Sequence, residues 1–272
     1  MKIQNNKLVA EKDDPKITYD HSPNQFGALV PQCLIIHYTA GRSIDSSRDW
    51  FKNPAAKASA HLIIGTNGSI IQMVPFNKKA WHAGKSMWKG LNGMNSYSIG
   101  IELDNPGKLT KVGTKFRSWF GKEYTEEKVI EAKHKHQPQN AFWHTFTEQQ
   151  LDSCLKASQT IFIHYQIKDI LGHEDISPHR KEDPGPAFPM SSFRSKIIGR
   201  KEDEEEIYSV TQDGTNLRTG PGLEYEIIGA LNKGVKVEIF KSHLNWYNVS
   251  LIDSVSSIIE PEGWIHKSLV KS

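Results

Sequence analysis

The chain has 272 residues, 37% of them hydrophobic and 24% charged, with 34 basic and 31 acidic side chains and a formal charge of +3. This is the balance of a globular protein with one large domain or two, and it excludes a disordered chain or a fibrous repeat. No apolar run approaches the roughly 18 residues of a spanning helix. The opening MKIQNNKLVAEKDD reads as no signal peptide, and Cys33 and Cys154 leave one disulfide or none equally open.

In chain order, Cys33-Leu34-Ile35-Ile36 reads as a buried strand ending at His37. Ala60–Ile64 and Ser69–Val74 flank Gly65-Thr66-Asn67-Gly68, a hairpin in which Asn-Gly is expected to supply the positive-φ pair of a tight turn. Ser98–Leu103 is a further short strand, with Ile99, Ile101 and Leu103 alternating against Glu102, which puts Glu102 on the opposite face. Residues 105–146 show no sustained period and read as a large loop or insertion, carrying Phe116, Trp119, Phe120, Trp143, His134 and His136. Thr147-Glu148-Gln149-Gln150 predicts a capping box. The helix behind it has Leu151, Leu155, Ser158 and Phe162 at spacings of four and three, with Cys154 and Ile161 beside them. Strands interleaved with a long helix predict an α/β fold with a mixed sheet flanked by helices.

The run 199–206, with five consecutive acids, predicts a linker between a domain at 1–198 and another at 207–272. Beyond it come Asn216-Leu217-Arg218, Gly220-Pro221-Gly222, the alternating Val235–Phe240 and Gly263-Trp264-Ile265, the grammar of a small β-barrel. Residues 1–199 carry a net +7, which suggests an anionic partner such as a cell-wall polymer. Nucleic acid is excluded as the partner, since the lysines are scattered and form no stripe interleaved with aromatics.

The densest chemistry lies at 172–186, where two histidines, four acids and three prolines share fifteen residues. A polar run so rich in proline is a loop of fixed conformation. Zinc takes imidazole and carboxylate ligands, and catalytic sites keep three protein ligands with one position open. His173 and Asp183 fit that chemistry, and His37 is the best third candidate; by spacing alone it reads equally as an ordinary partly buried side chain.

Five separated blocks, LIIHYTA (34–40), SAHLIIGTNGSIIQMVPF (59–76), AWHAG (80–84), NSYSIGIEL (95–103) and GHEDISPHRKEDPGPAFP (172–189), together resemble the zinc N-acetylmuramoyl-L-alanine amidases of the type 2 amidase family. That family includes anhydro-muropeptide amidases, phage amidases and the peptidoglycan recognition proteins. GTNLRTGPG (214–222) and GWIH (263–266) resemble bacterial SH3-like domains. The resemblance implies zinc on His37, His173 and Asp183, with Glu102 as general base and Lys181 as the cation at the carbonyl oxygen. It implies hydrolysis of the bond between N-acetylmuramic acid and L-alanine in peptidoglycan or anhydro-muropeptides; the alternative is a catalytically silent recognition protein. His61, Trp81, His82 and Arg180 stand as substrate-side candidates. His61 reads also as a packing residue, His82 as packed under Trp81, and Arg180 as a partner of Glu174. His179 departs from the family pattern by adding an imidazole near the metal loop. A monomer is expected, at the cell envelope or periplasm, with the cytoplasm as the alternative.

Overall fold

The computed structural model describes residues 1–199, 207–253, 255, 258 and 262–271. Apart from Gly199, the run read as a linker lies outside the described residues. Six strands form the central sheet: β1 (Ile17–Tyr19), β2 (Cys33–Tyr38), β3 (Leu62–Ile64), β4 (Ile70–Gln72), β5 (Ser98–Leu103) and β6 (Asp169–Gly172). Their order is β6-β2-β5-β3-β4-β1, parallel except where the hairpin joins β3 to β4. Helices α1 (Ile44–Lys52) and α2 (Glu148–Tyr165) complete the layer architecture.

β2 and β5 are apolar almost throughout because both faces of the sheet are covered. Leu34, Ile36, Ile99, Ile101 and Leu103 pack on one side against Cys154, Ala157 and Ile161 of α2. Cys33 and Ile35 meet Trp88, Met94 and Leu171 on the other. Burying each such aliphatic side chain contributes about 1.5–3 kcal/mol, so a charge at Ile101 would be ruinous. Cys33 and Cys154 are both free, each in the core on its own side of the sheet, which settles the disulfide question as none.

Three local expectations change. In the hairpin loop only Gly68 takes positive φ (81°); Asn67 instead accepts the Ser69 N–H with its side chain, closing the turn without a second left-handed residue. At the start of α2, Thr147 caps the Gln150 N–H, but Gln150 does not reach back. Its amide donates to the carbonyls of Ile64 and Asp104 and ties the helix to the sheet. The stripe of α2 with the deepest burial runs through Cys154, Ala157 and Ile161, while Leu151, Leu155 and Phe162 flank it.

Residues 108–144 are not a loop. They build a five-stranded antiparallel sheet in the order 123–124, 115–117, 108–112, 140–144, 129–133. Trp143 is fully buried there, stacks on His134 and donates to the Ala132 carbonyl.

The C-terminal residues form a separate seven-stranded antiparallel sheet around Val210, Leu217, Leu231, Val237, Val249 and Ile265. It meets the first domain at named points. Lys89 and Gly90 both take positive φ in the tight turn between strands 87–88 and 91–92, and their N–H groups donate to the two carboxylate oxygens of Glu262, each at 2.8 Å. His136 lies between the carbonyls of Glu174 and Ile252, 3.1 and 3.2 Å from its two ring nitrogens, and its one N–H donates to one of them.

The sheet register positions the chemistry. β6, β2 and β5 lie side by side and parallel, with Glu102 opposite His37 and Gly172 opposite Ile36. His37, Glu102 and His173 therefore share one row at the carboxyl ends of three neighbouring strands, where α/β sheets bind ligands.

Candidate metal centre

His37, His173 and Asp183 are all buried, and their donor atoms converge. His37 Nδ1 lies 3.0 Å from His173 Nδ1 and 2.8 Å from Asp183 Oδ2, and His173 Nδ1 is 3.0 Å from the same oxygen. The loop after β6 returns Asp183 to its place through a backbone bond from Glu174 N–H to the Asp183 carbonyl, 2.9 Å. His61 and His179 stand outside this cluster.

The hydrogen bonds on the far sides of the rings assign the tautomers. The Ser98 hydroxyl donates to the Met94 carbonyl, so toward His82 Nε2 both Ser98 oxygens can only accept. His82 Nε2 therefore carries hydrogen, and its Nδ1 accepts from His37 Nε2 at 3.0 Å. That leaves His37 Nδ1 a lone pair. His173 Nε2 donates to the Ala83 carbonyl at 3.1 Å. Arg180 Nη2 also lies 3.3 Å from that nitrogen, but its two hydrogens go to the carbonyls of Ala83 and Lys85. His173 Nδ1 is then a lone pair as well. Two imidazole lone pairs and a carboxylate oxygen aimed at one point fit a divalent transition metal, and zinc takes this donor set in catalytic sites that keep a fourth position open.

The electrostatics agree. Burial, with His173 close by, lowers the His37 pKa to about 4, keeping the ring neutral. Without a metal, a proton on the facing His173 or His37 Nδ1 outweighs burial and holds the Asp183 carboxyl well below the usual range; a bound cation would take the place of that proton. A neutral ring and a carboxylate are the forms a metal takes.

Around the three donors lies a cleft of about 690 Å³ whose walls include Tyr38, Trp50, Trp81, His82, Glu102, Arg180 and Lys181. A larger cavity of about 920 Å³ touches Glu174 and Gly185 from behind but none of the three donors, so the chemistry belongs to the smaller one. Glu102 is buried, and its Oε2 has no hydrogen-bond partner among the described residues. Burial first, then the charge of Asp183, pushes its pKa to about 8, against the pull of Lys181. Lys181 lines the same cleft, and its ammonium makes no hydrogen bond or ion pair among the described residues.

The substrate-side candidates divide. Trp81, His82 and Arg180 line the cleft. His61 does not: it is fully buried, its Nε2 donates to the Lys78 carbonyl and its Nδ1 accepts the Gly100 N–H, so it braces β5 from within. His82 packs on Gly100, where a Cβ would come within 2.5 Å of the ring. Arg180 holds the carbonyls of Ala83 and Lys85 and the Ser177 hydroxyl, not Glu174. Glu174 instead accepts from His134 Nε2 at 2.5 Å and pairs with Lys135, so the inserted sheet braces the metal loop. Trp50 was missed in the sequence, and His134 and His136 were noted there only as residues of the insertion, with no role. Trp50 leaves a trace there, as the apolar residue on the solvent side of α1 beside buried Phe51.

Comparison with known proteins gives the same answer. A family model described as N-acetylmuramoyl-L-alanine amidase matches residues 27–186, and one described as bacterial SH3 domain matches 213–271. The N-acetylmuramoyl-L-alanine amidase AmiD of Escherichia coli (strain K12) is 31% identical over 183 residues, covering 64% of this chain and 56% of AmiD. The 1,6-anhydro-N-acetylmuramyl-L-alanine amidase AmpD of the same strain is 30% identical over 211 residues, covering 71% of this chain and 96% of AmpD. A solved complex of AmiD from E. coli with anhydro-N-acetylmuramic acid-L-Ala-D-gamma-Glu-L-Lys covers 64% of this chain and 60% of that one, with 31% identity and a TM-score of 0.48. The chain thus spans little more than half the length of AmiD and almost the whole of E. coli AmpD. With residues 27–186, more than half its length, matched by the family model, the chain belongs to the N-acetylmuramoyl-L-alanine amidase family.

Proposed function

We propose that the protein hydrolyses the amide joining the lactyl group of N-acetylmuramic acid to L-alanine, on peptidoglycan or on muropeptides released from it. The observation that carries this reading is the convergence of three lone-pair donors beside a buried carboxyl without a partner. The names of the relatives AmiD and AmpD, both N-acetylmuramyl-L-alanine amidases, point to the bond. A recognition protein that only binds would have no use for the complete donor set.

An amide is a poor electrophile with a poor leaving group, so hydrolysis needs a deprotonated water, a counter-charge at the carbonyl oxygen and a proton for nitrogen. Zinc held by His37, His173 and Asp183 supplies Lewis acidity. Glu102 takes the proton of the attacking water and passes it to the departing nitrogen; its raised pKa belongs to the metal-free protein, and a cation held beside it by Asp183 and the two histidines would favour the ionised form that a base needs. Lys181 meets the negative charge that grows on the carbonyl oxygen. The C–N bond breaks, a carboxylate stays on the lactyl group and the peptide leaves as an amine. His82 and the Ala83 carbonyl keep the two ligand rings in their binding tautomers.

The test is mass spectrometry of products from a purified muropeptide, with zinc measured in the same sample. Release of an intact peptide with a free L-alanine amine supports the reading; cleavage at another bond, or none by zinc-loaded protein, rejects it. We place this work at the cell envelope, supported by the SH3 match at 213–271; recovery only in the cytoplasmic fraction would refute that placement.

A further inference from the structure

A second hollow of about 380 Å³ opens off the cleft and shares Thr39, Ala40, Trp50 and Phe51 with it. Its outer wall is Trp119, from the tip between strands 115–117 and 123–124 of the inserted sheet. The Trp119 side chain is 77% exposed, which is unfavourable for so large an apolar group. It is nevertheless held in place: its Nε1–H donates to the Ala40 carbonyl at 2.7 Å, three residues past the metal ligand His37. Trp50, 56% exposed, is the second indole of the hollow.

Polar groups line the same space. Arg42 lies over the ring of Phe120 at 5.6 Å and makes no ion pair among the described residues. Ser47 is 7% exposed, and its hydroxyl has no hydrogen-bond partner among the described residues.

We propose that this hollow binds a pyranose ring of the glycan chain adjoining the muramoyl residue, and that the inserted sheet thereby selects glycan-linked peptide over short soluble muropeptide. The proposal rests on the amidase reading for the position of the muramoyl residue. A pyranose presents C–H bonds on its faces, which suit the negative faces of indoles. Its equatorial hydroxyls lie at the ring edge, where the exposed Arg42 can reach them. A stem-peptide carboxylate would engage Arg42 and leave both indoles bare. Continuity of the walls means one chain can occupy hollow and cleft together.

Two measurements on the zinc-loaded full chain test this. Chitotetraose, a peptide-free N-acetylglucosamine tetramer, should bind saturably in about the millimolar range by tryptophan fluorescence. Trp119→Ala should weaken it about tenfold, and Trp119→Phe, which keeps an aromatic face, should restore most of it. The ratio of kcat/KM for a tetrasaccharide-linked peptide to that for a muramoyl dipeptide should fall about tenfold in Trp119→Ala. Absence of saturable binding, or an unchanged ratio, overturns the proposal. So does a loss that follows stem-peptide length rather than glycan length, which would make the hollow a peptide site. Glycan binding that needs Trp119, without hydrolysis of any muropeptide, supports the sugar site and refutes the amidase reading alone.

Discussion

His37 and His82 stand 3.0 Å apart, Nε2 to Nδ1, and this contact decides which nitrogen of His37 faces Asp183. His82 has no place among the three donors, yet it sets the direction of the whole chain of hydrogen bonds from Ser98 to the metal position. Gly100 makes room for it, since any larger residue there would strike the ring.

Replacing His82 by Phe should therefore leave all three donors present while weakening zinc binding by about 10–100-fold, the usual effect of losing a group that orients a metal-bound histidine. Competition with a chelator of known affinity measures it. Unchanged affinity would mean that burial alone orients His37.

Removing a donor is more severe. His37→Ala or Asp183→Ala should abolish both stoichiometric zinc and hydrolysis, because two ligands do not make a stable site. His61→Ala is the informative contrast. It leaves the Gly100 N–H and the Lys78 carbonyl without their buried partner and should cost about 1–3 kcal/mol of stability. Its zinc content should stay at one ion per chain; loss of zinc in this variant, measured at a temperature where it is folded, would make His61 a further ligand.

Part of this site could be read in the sequence, because His37 ends a compact apolar run and Glu102 alternates with Ile99, Ile101 and Leu103. Ile99, Ile101 and Leu103 do pack on α2, and Glu102 does face the other way. The resemblance of the separated blocks supplied the rest of the ligand set. The inserted sheet was opaque because its strands are two to five residues long and mostly exposed, too short for a period to emerge. The bracing of Glu174 by His134 and the bond from Lys89 to Glu262 were opaque for another reason. They join residues 40 and 173 positions apart, and no local pattern encodes such a meeting.

Glu102→Gln and Lys181→Met should keep zinc and lose turnover by about 10²–10⁴-fold in kcat, as expected when acid–base or oxyanion help is removed. Near-normal turnover in Glu102→Gln would send the search for the base elsewhere.

Glu102 also predicts a pH dependence in the protein stripped of zinc. Its folded pKa, about 8, lies above the ordinary value of 4.5 that holds when unfolded. The folded state binds this proton more tightly, so the contribution is complete below about pH 4.5 and is lost progressively as pH rises through about 8. Glu102→Gln carries no such dependence. The variant and the parent should have similar stability at pH 4.5, and the variant should gain steadily to a few kcal/mol at pH 9, at about 1.4 kcal/mol per pH unit over the interval. Thermal or urea unfolding of both proteins across that range measures it. A constant difference between them would mean that Glu102 is not held protonated by its surroundings.

The last prediction concerns the two domains. Glu262 accepts two backbone N–H groups of a turn whose strands lie beside Trp88 and Met94, in the core against β2. Charge-assisted bonds of this kind contribute about 1.5–3 kcal/mol each at most, and part of that is lost to solvent at a half-exposed turn. Glu262→Ala should therefore loosen the contact between domains without unfolding either, because each has its own core. The expected signature is faster proteolysis within 199–206 with two stable fragments as products. A chain cut there should fold and hold zinc, but its loop at 87–92 should exchange amide hydrogens faster than in the whole protein. His136 adds a second strut, from Ile252 to the backbone of Glu174 next to a metal ligand, so the cut chain should also release zinc faster to a chelator. Equal exchange and equal zinc release in the cut and whole chains would reduce the C-terminal domain to a tether, leaving the inserted sheet to support the metal loop alone.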